Sequence, residues 1–210
     1  MEGVLITFEG IEGAGKTTQR RMLAAWLTGR GLRVIETSEP DGTSLGEAVR
    51  ALFEQDGLAP TPLTEAFLFL AARQQHVVQI IRPALERGEI VLSDRYADAS
   101  VAYQGYGRGV DLQTIRELNA LATGGIQPDL TLLLDLEAEI GIQRLAGRRL
   151  DAFEKMDLAF HQRVRRGYLE IAREEKARVA VLRAEQPPEL LQAEVRAAVE
   201  ELLRCRGARA

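Results

Sequence analysis

A short glycine-rich stretch near the start of the chain has the residue types needed to hold a phosphate. Residues 10–18 read GIEGAGKTT and fit the pattern G-x-x-x-x-G-K-[ST]. An apolar run precedes the stretch and a helical pattern follows it, which is the context that this pattern requires. Glycines let the backbone approach a phosphate closely, and the N–H groups at a helix start attract anions. The sequence therefore predicts a nucleoside triphosphate site, with a glycine-rich turn of no function as the alternative.

Within this stretch, Lys16 supplies a mobile cation for the outer phosphates and the Thr17 hydroxyl is placed to bind Mg²⁺. No guanine-reading N-K-x-D is present, and a motor or transporter ATPase would normally be larger. A compact chain with scattered arginines suits phosphoryl transfer between small molecules, because several cations can stabilise the charge on the moving group. The predicted ATP-binding residues are Gly10, Ile11, Glu12, Gly13, Ala14, Gly15, Lys16, Thr17 and Thr18.

Two charged residues follow a later apolar run. Asp94 is the last residue of EIVLSD and Arg95 follows it, at a point where a carboxylate can hold Mg²⁺ through water. The planar guanidinium of Arg95 suits an acceptor phosphate, since it can donate two parallel hydrogen bonds. A salt bridge at the end of a strand would explain the same pair.

A phenylalanine and an arginine share one face of a long helical pattern. Phe69 and Arg73 are four residues apart, so they are neighbours on a helix and could stack a flat base and bond its edge. Core packing of Phe69 and a snorkelling Arg73 are the alternatives. We expect His76 and His161 to be solvent-facing or structural rather than catalytic.

A basic segment at about 144–155, RLAGRRLDAFEK, separates two helical patterns. Its arginines Arg144, Arg148 and Arg149 could close over phosphates as a lid and exclude water from the transfer. A solvated helix end, with cations that complement the helix dipole, is equally consistent with the sequence.

Five short apolar runs rich in β-branched residues predict the elements that position these side chains. Most are continuously apolar, which is typical of strands covered on both faces. The predicted strands are 4–9, 33–38, 89–94, 129–136 and 178–183.

Helical patterns alternate with these strands. The first begins after the glycine turn and ends near Gly29. Further helical patterns lie at 63–87, 112–122, 138–149, 154–174 and 189–203, and Pro83 is expected to kink or break the pattern at 63–87. This alternation predicts an α/β doubly wound, three-layer sandwich, with a five-stranded parallel sheet and helices on both faces. Ligands bind at the carboxyl ends of such strands, where the informative residues lie.

Length and charge exclude several classes of protein. The 210 residues suit one domain, 1–210, and the net charge of −4 argues against a broad nucleic-acid or membrane surface. No transmembrane stretch or signal peptide is visible. The single cysteine, Cys205, fits a reducing compartment, so we expect a cytoplasmic protein.

With these residues in view, the chain resembles bacterial thymidylate kinases from Phe8 to about Ala172. The likeness rests on linked motifs: FEGIEGAGKTTQ, EPDGT, AARQQHV, SDRYADASVAYQGYGRG and DAFEKMDLAFHQRVRRGYLEIA. It implies transfer of the γ-phosphoryl group of ATP to dTMP with Mg²⁺, giving dTDP, by a homodimer of doubly wound α/β domains.

The resemblance also implies roles for single residues. Phe69 would stack on thymine, Arg73 would bond its edge, and Arg95 would hold the dTMP phosphate. Tyr103 could disfavour a ribose 2′-OH. The glycine turn contains no arginine, so the lid would supply the catalytic one from Arg148 or Arg149. The implied catalytic residues are Glu12, Lys16, Asp94, Arg95, Arg148 and Arg149; dTMP would be bound by Glu12, Glu39, Phe69, Arg73, Arg95, Ser100, Tyr103 and Gln104; Thr17 and Asp94 would bind the metal.

Three positions depart from the family pattern. The family commonly has R-E-P-G-G-T where this chain has SEPDGT, so Ser38 replaces an arginine and Asp41 replaces a glycine. The family commonly has D-R-[FL]-E where this chain has DAFE, so Ala152 replaces a second arginine. Lost cations and an added carboxylate near an acceptor phosphate would each weaken binding, by roughly 10- to 100-fold for one charge-assisted contact. A nucleotide-binding paralogue with little turnover, and a kinase with another acceptor such as dUMP, are therefore alternatives to an active dTMP kinase.

Overall fold

The sheet is the element that brings the predicted site residues to one edge of the molecule. The computed structural model describes residues 3–55, 58–147 and 153–207. Five strands form one parallel sheet in the order β2-β3-β1-β4-β5. They are β1 (Val4–Glu9), β2 (Val34–Ser38), β3 (Ile90–Asp94), β4 (Leu130–Asp135) and β5 (Val179–Arg183). The predicted strands are thus confirmed to within one residue at each end.

Strand β1 lies at the centre of the sheet and is buried along its whole length. Ile6 pairs with Leu92 of β3 on one side and with Leu130 of β4 on the other. The chain builds β2 and β3 on one side of β1 and then β4 and β5 on the other, so the strand order reverses beside β1. The glycine turn that follows β1 therefore lies where such sheets form their ligand crevice.

Nine α-helices and two π-helical segments cover the described part of the sheet. Helices α1 and α9 pack against each other, and α8 packs against the second π-helical segment. The parallel sheet with its reversed strand order and intervening helices confirms the predicted doubly wound α/β fold. The helices are α1 (Lys16–Gly29), α2 (Ser44–Phe53), α3 (Pro62–His76), α4 (Arg82–Glu86), α5 (Ala97–Ser100), α6 (Leu112–Thr123), α7 (Ala138–Arg144), α8 (Leu158–Glu174) and α9 (Pro188–Cys205); the π-helical segments are Val77–Ile81 and Val101–Gly107.

Local signals explain where several helices begin. The side chains of Thr43, Thr61, Asp111 and Asp157 accept hydrogen bonds from backbone N–H groups in the first turns of α2, α3, α6 and α8. Such caps satisfy N–H groups that have no partner inside the helix. No described helix is long and apolar enough to cross a membrane.

The structure departs from several predicted boundaries. The helix predicted at 138–149 ends at Arg144, and α8 begins at Leu158 rather than 154 because Asp157 caps it. The long pattern at 63–87 is helical throughout, with the π-helical turn Val77–Ile81 just before Pro83. This wider turn accommodates a residue that has no N–H to donate. Helix α2 and the helical stretch 97–107 were not expected.

The apolar side chains along the long helical stretch are only partly buried. Leu70, Val77 and Ile81 are buried, but Leu63 is 42% and Phe67 51% exposed. Ala66 and Arg73 occupy the buried face instead.

Candidate active site

The glycine turn between β1 and α1 has the backbone conformation that its residues require. Gly10, Gly13 and Gly15 all have positive φ, and a Cβ on Gly10 would lie 2.5 Å from the carbonyl oxygen of Leu134. Other residues would be strained there. No side chain caps the start of α1, so its first N–H groups are available to an anion.

Lys16 lies against this turn and is 8% exposed. Its Nζ donates hydrogen bonds to the carbonyl oxygens of Gly10, at 3.0 Å, and Ile11, at 2.9 Å. Burial and the nearby Arg95 lower the pKa of Lys16 to about 8, although Asp94 and other carboxylates oppose them. A bound polyphosphate would favour the charged form of this amine, because opposite charges attract most strongly in a poorly solvated site.

Two oxygen groups meet beside Lys16. The Thr17 hydroxyl donates a 2.6 Å hydrogen bond to Oδ2 of Asp94, which joins the start of α1 to the end of β3. A hydroxyl and a carboxylate in contact are the hard oxygen ligands that Mg²⁺ prefers.

Arg95 follows β3 and lines the site. Its Nη1 donates to the carbonyl oxygen of Gly10 and to the hydroxyl of Tyr168, both at 3.2 Å, and its Nη2 donates to Glu12 Oε1 at 2.8 Å. Among the described residues, it is the one non-glycine with positive φ, at 72°. Such backbone strain costs about 1–3 kcal/mol and is typical of functional positions.

Glu12 joins the glycine turn to Arg95 and Tyr103. Its Oε1 accepts the hydroxyl of Tyr103 at 2.5 Å as well as Arg95, and its Oε2 lies 3.4 Å from Nδ1 of His161. Burial alone would raise the pKa of this carboxyl, but Arg95, His161, Lys16 and Tyr103 outweigh it and lower the pKa well below the usual range. Glu12 is therefore a carboxylate at neutral pH.

Arg73 is buried and fully engaged with the protein. Its Nε and Nη2 contact Glu39 Oε2 at 2.8 and 2.7 Å, its Nη1 donates to Ser100 and Asn119, both at 2.7 Å, and its Nη2 also donates to the carbonyl oxygen of Tyr96. A guanidinium has five N–H groups, so each has an acceptor. A direct bond from Arg73 to a base would replace one of these contacts.

His76 and His161 are both buried, so of the two expectations for them the solvent-facing one is wrong. His76 contacts Glu39 Oε1 at 3.2 Å and Thr37 at 2.6 Å. Burial alone would raise the pKa of Glu39, but Arg73 and His76 together lower it.

An aromatic cluster forms one wall of the site. The ring of Phe69 is stacked on Phe53 at 5.0 Å between centroids and meets Phe153 edge-on at 5.6 Å. Tyr103 meets Phe153 at 5.8 Å.

The cleft enclosed by these groups has a volume of about 680 Å³. It brings together most of the predicted site residues, namely Glu12, Gly13, Gly15, Lys16, Thr17, Thr18, Glu39, Phe69, Arg73, Asp94, Arg95, Ser100, Tyr103 and Gln104. Gly10, Ile11 and Ala14 belong to the turn beneath it and are buried. The roles assigned to these residues stay predictions.

The basic segment meets the cleft at both described ends. Arg144 donates to the carbonyl oxygen of Gly13 at 3.0 Å, and Phe153 and Glu154 line the cleft. The candidate catalytic arginines Arg148 and Arg149 lie outside the described residues, as does Ala152.

The added carboxylate of Asp41 has a partner that the sequence did not indicate. Asp41 Oδ1 accepts a hydrogen bond from Nε of Arg50 on α2, and both residues line the cleft beside Ser38. The pair brings a cation to the rim together with the additional carboxylate, so the repulsion expected from Asp41 is offset in part.

Sequence reasoning also missed a buried carboxyl behind the site. Glu9, at the end of β1, is fully buried and accepts hydrogen bonds from Tyr96 N–H and the Tyr168 hydroxyl, both at 2.7 Å. Burial and Asp98 raise its pKa to about 8, against the opposing effect of Arg95. Its position beside the glycine turn was the only signal in the sequence.

We expect Glu9 to make the stability of the protein fall between pH 5 and 8. The pKa is about 8 in the folded state and 4.5 ordinarily, so only the folded state keeps this proton in that interval. The contribution is present below pH 4.5 and is lost as the pH rises through 8, and its size is roughly a few kcal/mol. Thermal unfolding at pH 5, 6.5 and 8 measures it.

The variant Glu9→Gln should show a smaller fall in Tm over this range, because the amide does not titrate. Glu185→Gln, at an exposed position, is the control and should keep the fall of the unmodified protein. An identical pH dependence in all three proteins would contradict the assignment.

Comparisons with known proteins agree with this geometry. The sequence model of the family described as thymidylate kinase matches residues 8–195. A thymidylate kinase of Desulfovibrio desulfuricans is 49% identical, over 97% of this chain and 98% of the relative, and one of Deinococcus radiodurans is 50% identical, over 95% and 98%. A solved structure of thymidylate kinase from Ehrlichia chaffeensis superposes with a TM-score of 0.80 at 35% identity, covering 95% of this chain and 100% of that one.

Proposed function

The chain belongs to the thymidylate kinase family, and we propose how its cleft transfers the γ-phosphoryl group of ATP to dTMP, giving ADP and dTDP for dTTP synthesis. One observation carries the proposal. Lys16 and Arg95 both donate to the carbonyl oxygen of Gly10, at 3.0 and 3.2 Å. Since one cation belongs to the ATP turn and the other follows β3, the two phosphates that react would meet over Gly10.

The glycine turn binds the donor. Its N–H groups and the start of α1 hold the ATP phosphates, and Lys16 donates to the β- and γ-phosphates. We propose that Thr17 and Asp94 hold Mg²⁺, which supplies positive charge to these phosphates when bound. Their contact at 2.6 Å supports this proposal, because it places the two oxygens side by side.

Arg95 binds the acceptor phosphate and Glu12 holds Arg95 in place. An oxygen of the dTMP phosphate attacks the γ-phosphorus, the bond to the bridging β-oxygen breaks, and ADP leaves. Lys16 and Arg95 stabilise the charge on the moving phosphoryl group without reorganising. Arg148 or Arg149 would add a third cation from the lid, which would also exclude water.

The aromatic wall binds the nucleoside of dTMP. Phe69 would stack on thymine, and Tyr103 would lie against the deoxyribose because its hydroxyl is tied to Glu12. Arg73 and Glu39 form the buried floor, with Ser100 and Gln104 toward the base.

A coupled assay of ADP release with Mg-ATP tests the function against dTMP, dUMP, dCMP, dGMP, AMP and thymidine. We expect dTMP to be strongly preferred. Preference for another acceptor would assign a different kinase activity, and no turnover with intact ATP binding would favour a binding role.

We propose that the protein is a cytoplasmic homodimer that associates through α3 and α6. Exposed apolar side chains recur along α3 and the following turn at Leu63, Phe67 and Val78, and Leu121 of the neighbouring α6 is 79% exposed. A stripe of this spacing is one face of a helix, and burying it against a second copy would remove it from water.

The variant Phe67→Glu should be monomeric at micromolar concentration, because a buried unpaired charge opposes association. Light scattering coupled to size exclusion measures the mass. Leu190→Glu is the control, since Leu190 is 58% exposed on α9, and it should leave the dimer intact. A dimer in Phe67→Glu would place the interface elsewhere.

A further inference from the structure

Two polar side chains face the cleft from one helical stretch beside Phe69. Ser100 and Gln104 are four residues apart within residues 97–107, both are buried, and both line the cleft. Each side chain makes a hydrogen bond to a charged residue of the protein, Ser100 to Arg73 and Gln104 to Glu65. Those charged residues decide which hydrogen-bonding group is left for a ligand.

Arg73 sets the role of Ser100. Its Nη1 donates to Ser100 Oγ at 2.7 Å, and a guanidinium can only donate. The hydroxyl oxygen of Ser100 is therefore an acceptor toward Arg73, and its own hydrogen is left to donate to a ligand.

Glu65 determines which group of Gln104 is left for a ligand, and here that group is an acceptor rather than a donor. Nε2 of Gln104 donates to Oε1 of Glu65 at 3.0 Å, and Glu65 is 1% exposed. Its second oxygen lies 2.9 Å from Nη2 of Arg108, which balances the buried charge. A carboxylate can only accept, so the amide nitrogen must point toward Glu65 and the amide oxygen away from it.

The amide oxygen of Gln104 is then the group presented to the cleft. It accepts no hydrogen bond from the residues that the structure describes, whereas the nitrogen of the same amide is engaged. A ligand with an N–H at this point would satisfy it. One with a lone pair there would leave two acceptors facing each other, which is costly in a poorly solvated site.

We propose that Glu65 is a specificity-determining positioning residue, which makes the site select a pyrimidine with an N3–H by holding the Gln104 amide in one orientation. This rests on the proposed function. Thymine and uracil present the O4 acceptor beside the N3–H donor, which matches a donor from Ser100 and an acceptor from Gln104. Cytosine presents an amino donor beside a bare N3, which is the reverse pattern.

Gln104 carries most of this selection. The Ser100 hydroxyl can rotate and adapt to either base, but the amide cannot turn over without placing its oxygen against the carboxylate of Glu65. A paired donor and acceptor discriminates between bases by about 10- to 100-fold. Glu65 is expected to supply that factor without touching the substrate.

The test is the ratio of kcat/KM for dTMP to that for dCMP in Glu65→Gln. The new amide can donate or accept, so Gln104 is free to turn over. We expect the ratio to fall about 10- to 100-fold, mainly through a gain with dCMP, while kcat/KM for dTMP changes only a few-fold. Asp98→Asn is the matched control, because Asp98 lies on the same helical stretch and forms a buried ion pair with Arg178 but has no hydrogen bond to Gln104. Its ratio should stay unchanged.

A second measurement separates the steps of the inference. Unmodified protein should lose activity with dTMP methylated at N3, and Gln104→Leu should be much less sensitive to that methyl group. An unchanged ratio in folded Glu65→Gln overturns the role of Glu65. Equal sensitivity of Gln104→Leu to N3 methylation overturns the reading of N3–H by Gln104. A failure of the proposed function would give a different result from these two, because the unmodified protein itself would then not turn over dTMP.

Discussion

The variant Lys16→Met is expected to reduce kcat for dTMP phosphorylation by at least about 10²- to 10³-fold. Lys16 is the buried cation of the glycine turn, and its Nζ uses two donors on Gly10 and Ile11. An ammonium has a third donor, which is left for the ATP phosphates. Methionine has similar length and no charge, so the turn should keep its shape while the transferring phosphoryl group loses its nearest cation.

Steady-state kinetics with saturating Mg-ATP and dTMP measure this loss, and a Tm within a few degrees of the unmodified protein shows that the fold survives. The control is Lys176→Met at an exposed position, which should keep full activity. Because Lys16 is buried and charged, Lys16→Met is also expected to be at least as stable as the unmodified protein. Retention of more than a tenth of kcat would show that the lysine is not required for transfer.

The variant Arg95→Met should lower kcat/KM for dTMP by about 10²- to 10³-fold. Arg95 links Glu12 to the glycine turn, because its guanidinium is anchored by the Gly10 carbonyl oxygen, the Tyr168 hydroxyl and Glu12. Loss of the acceptor clamp should act mainly on KM for dTMP and on kcat. The KM for ATP should change little, because the glycine turn makes the ATP contacts.

The variant Arg95→Lys should recover only a small part of the loss, since an ammonium cannot reproduce the planar fork. Arg204→Met is the control, because Arg204 forms an exposed ion pair with Glu201 and should be neutral for activity. If Arg95→Met changed KM for ATP but not for dTMP, Arg95 would belong to the donor site instead.

The departures from the family pattern now have a partial physical explanation. Asp41 does not stand alone at the rim of the cleft, because it pairs with Arg50 of α2. Helix α2 was not expected from the sequence, so this partner could not be anticipated. No described contact of Ser38 replaces the arginine that is common at its position, and Ala152 lies outside the described residues.

Much of the fold could be read from local pattern. The five strands were located to within one residue, because a strand buried on both faces must be a short apolar run bounded by polar turns. The alternation of strands and helices implied a parallel sheet, whose crossovers have few alternatives. The helix boundaries at Arg144 and Leu158 differ from the sequence pattern. A single cap, such as Asp157 before α8, is enough to decide where a helix begins.

The glycine turn was also determined by the sequence itself. Gly10, Gly13 and Gly15 have positive φ, and Lys16 lies where the motif places it, because backbone conformation and spacing over a few residues are local properties. The position of Asp94 and Arg95 at the end of β3 followed from the strand pattern alone.

Only the tertiary structure decided how the charged side chains are paired. Glu65 meets Gln104, Arg73 meets Ser100 and Glu39, and Glu9 meets Tyr168 across separations of up to 159 residues. Burial and distant neighbours fix the protonation of Glu9 and the direction in which the Gln104 amide points. Hydrogen bonds and charge interactions depend on distance in space rather than along the chain, so the sequence could name these residues but not the partners that set their chemistry.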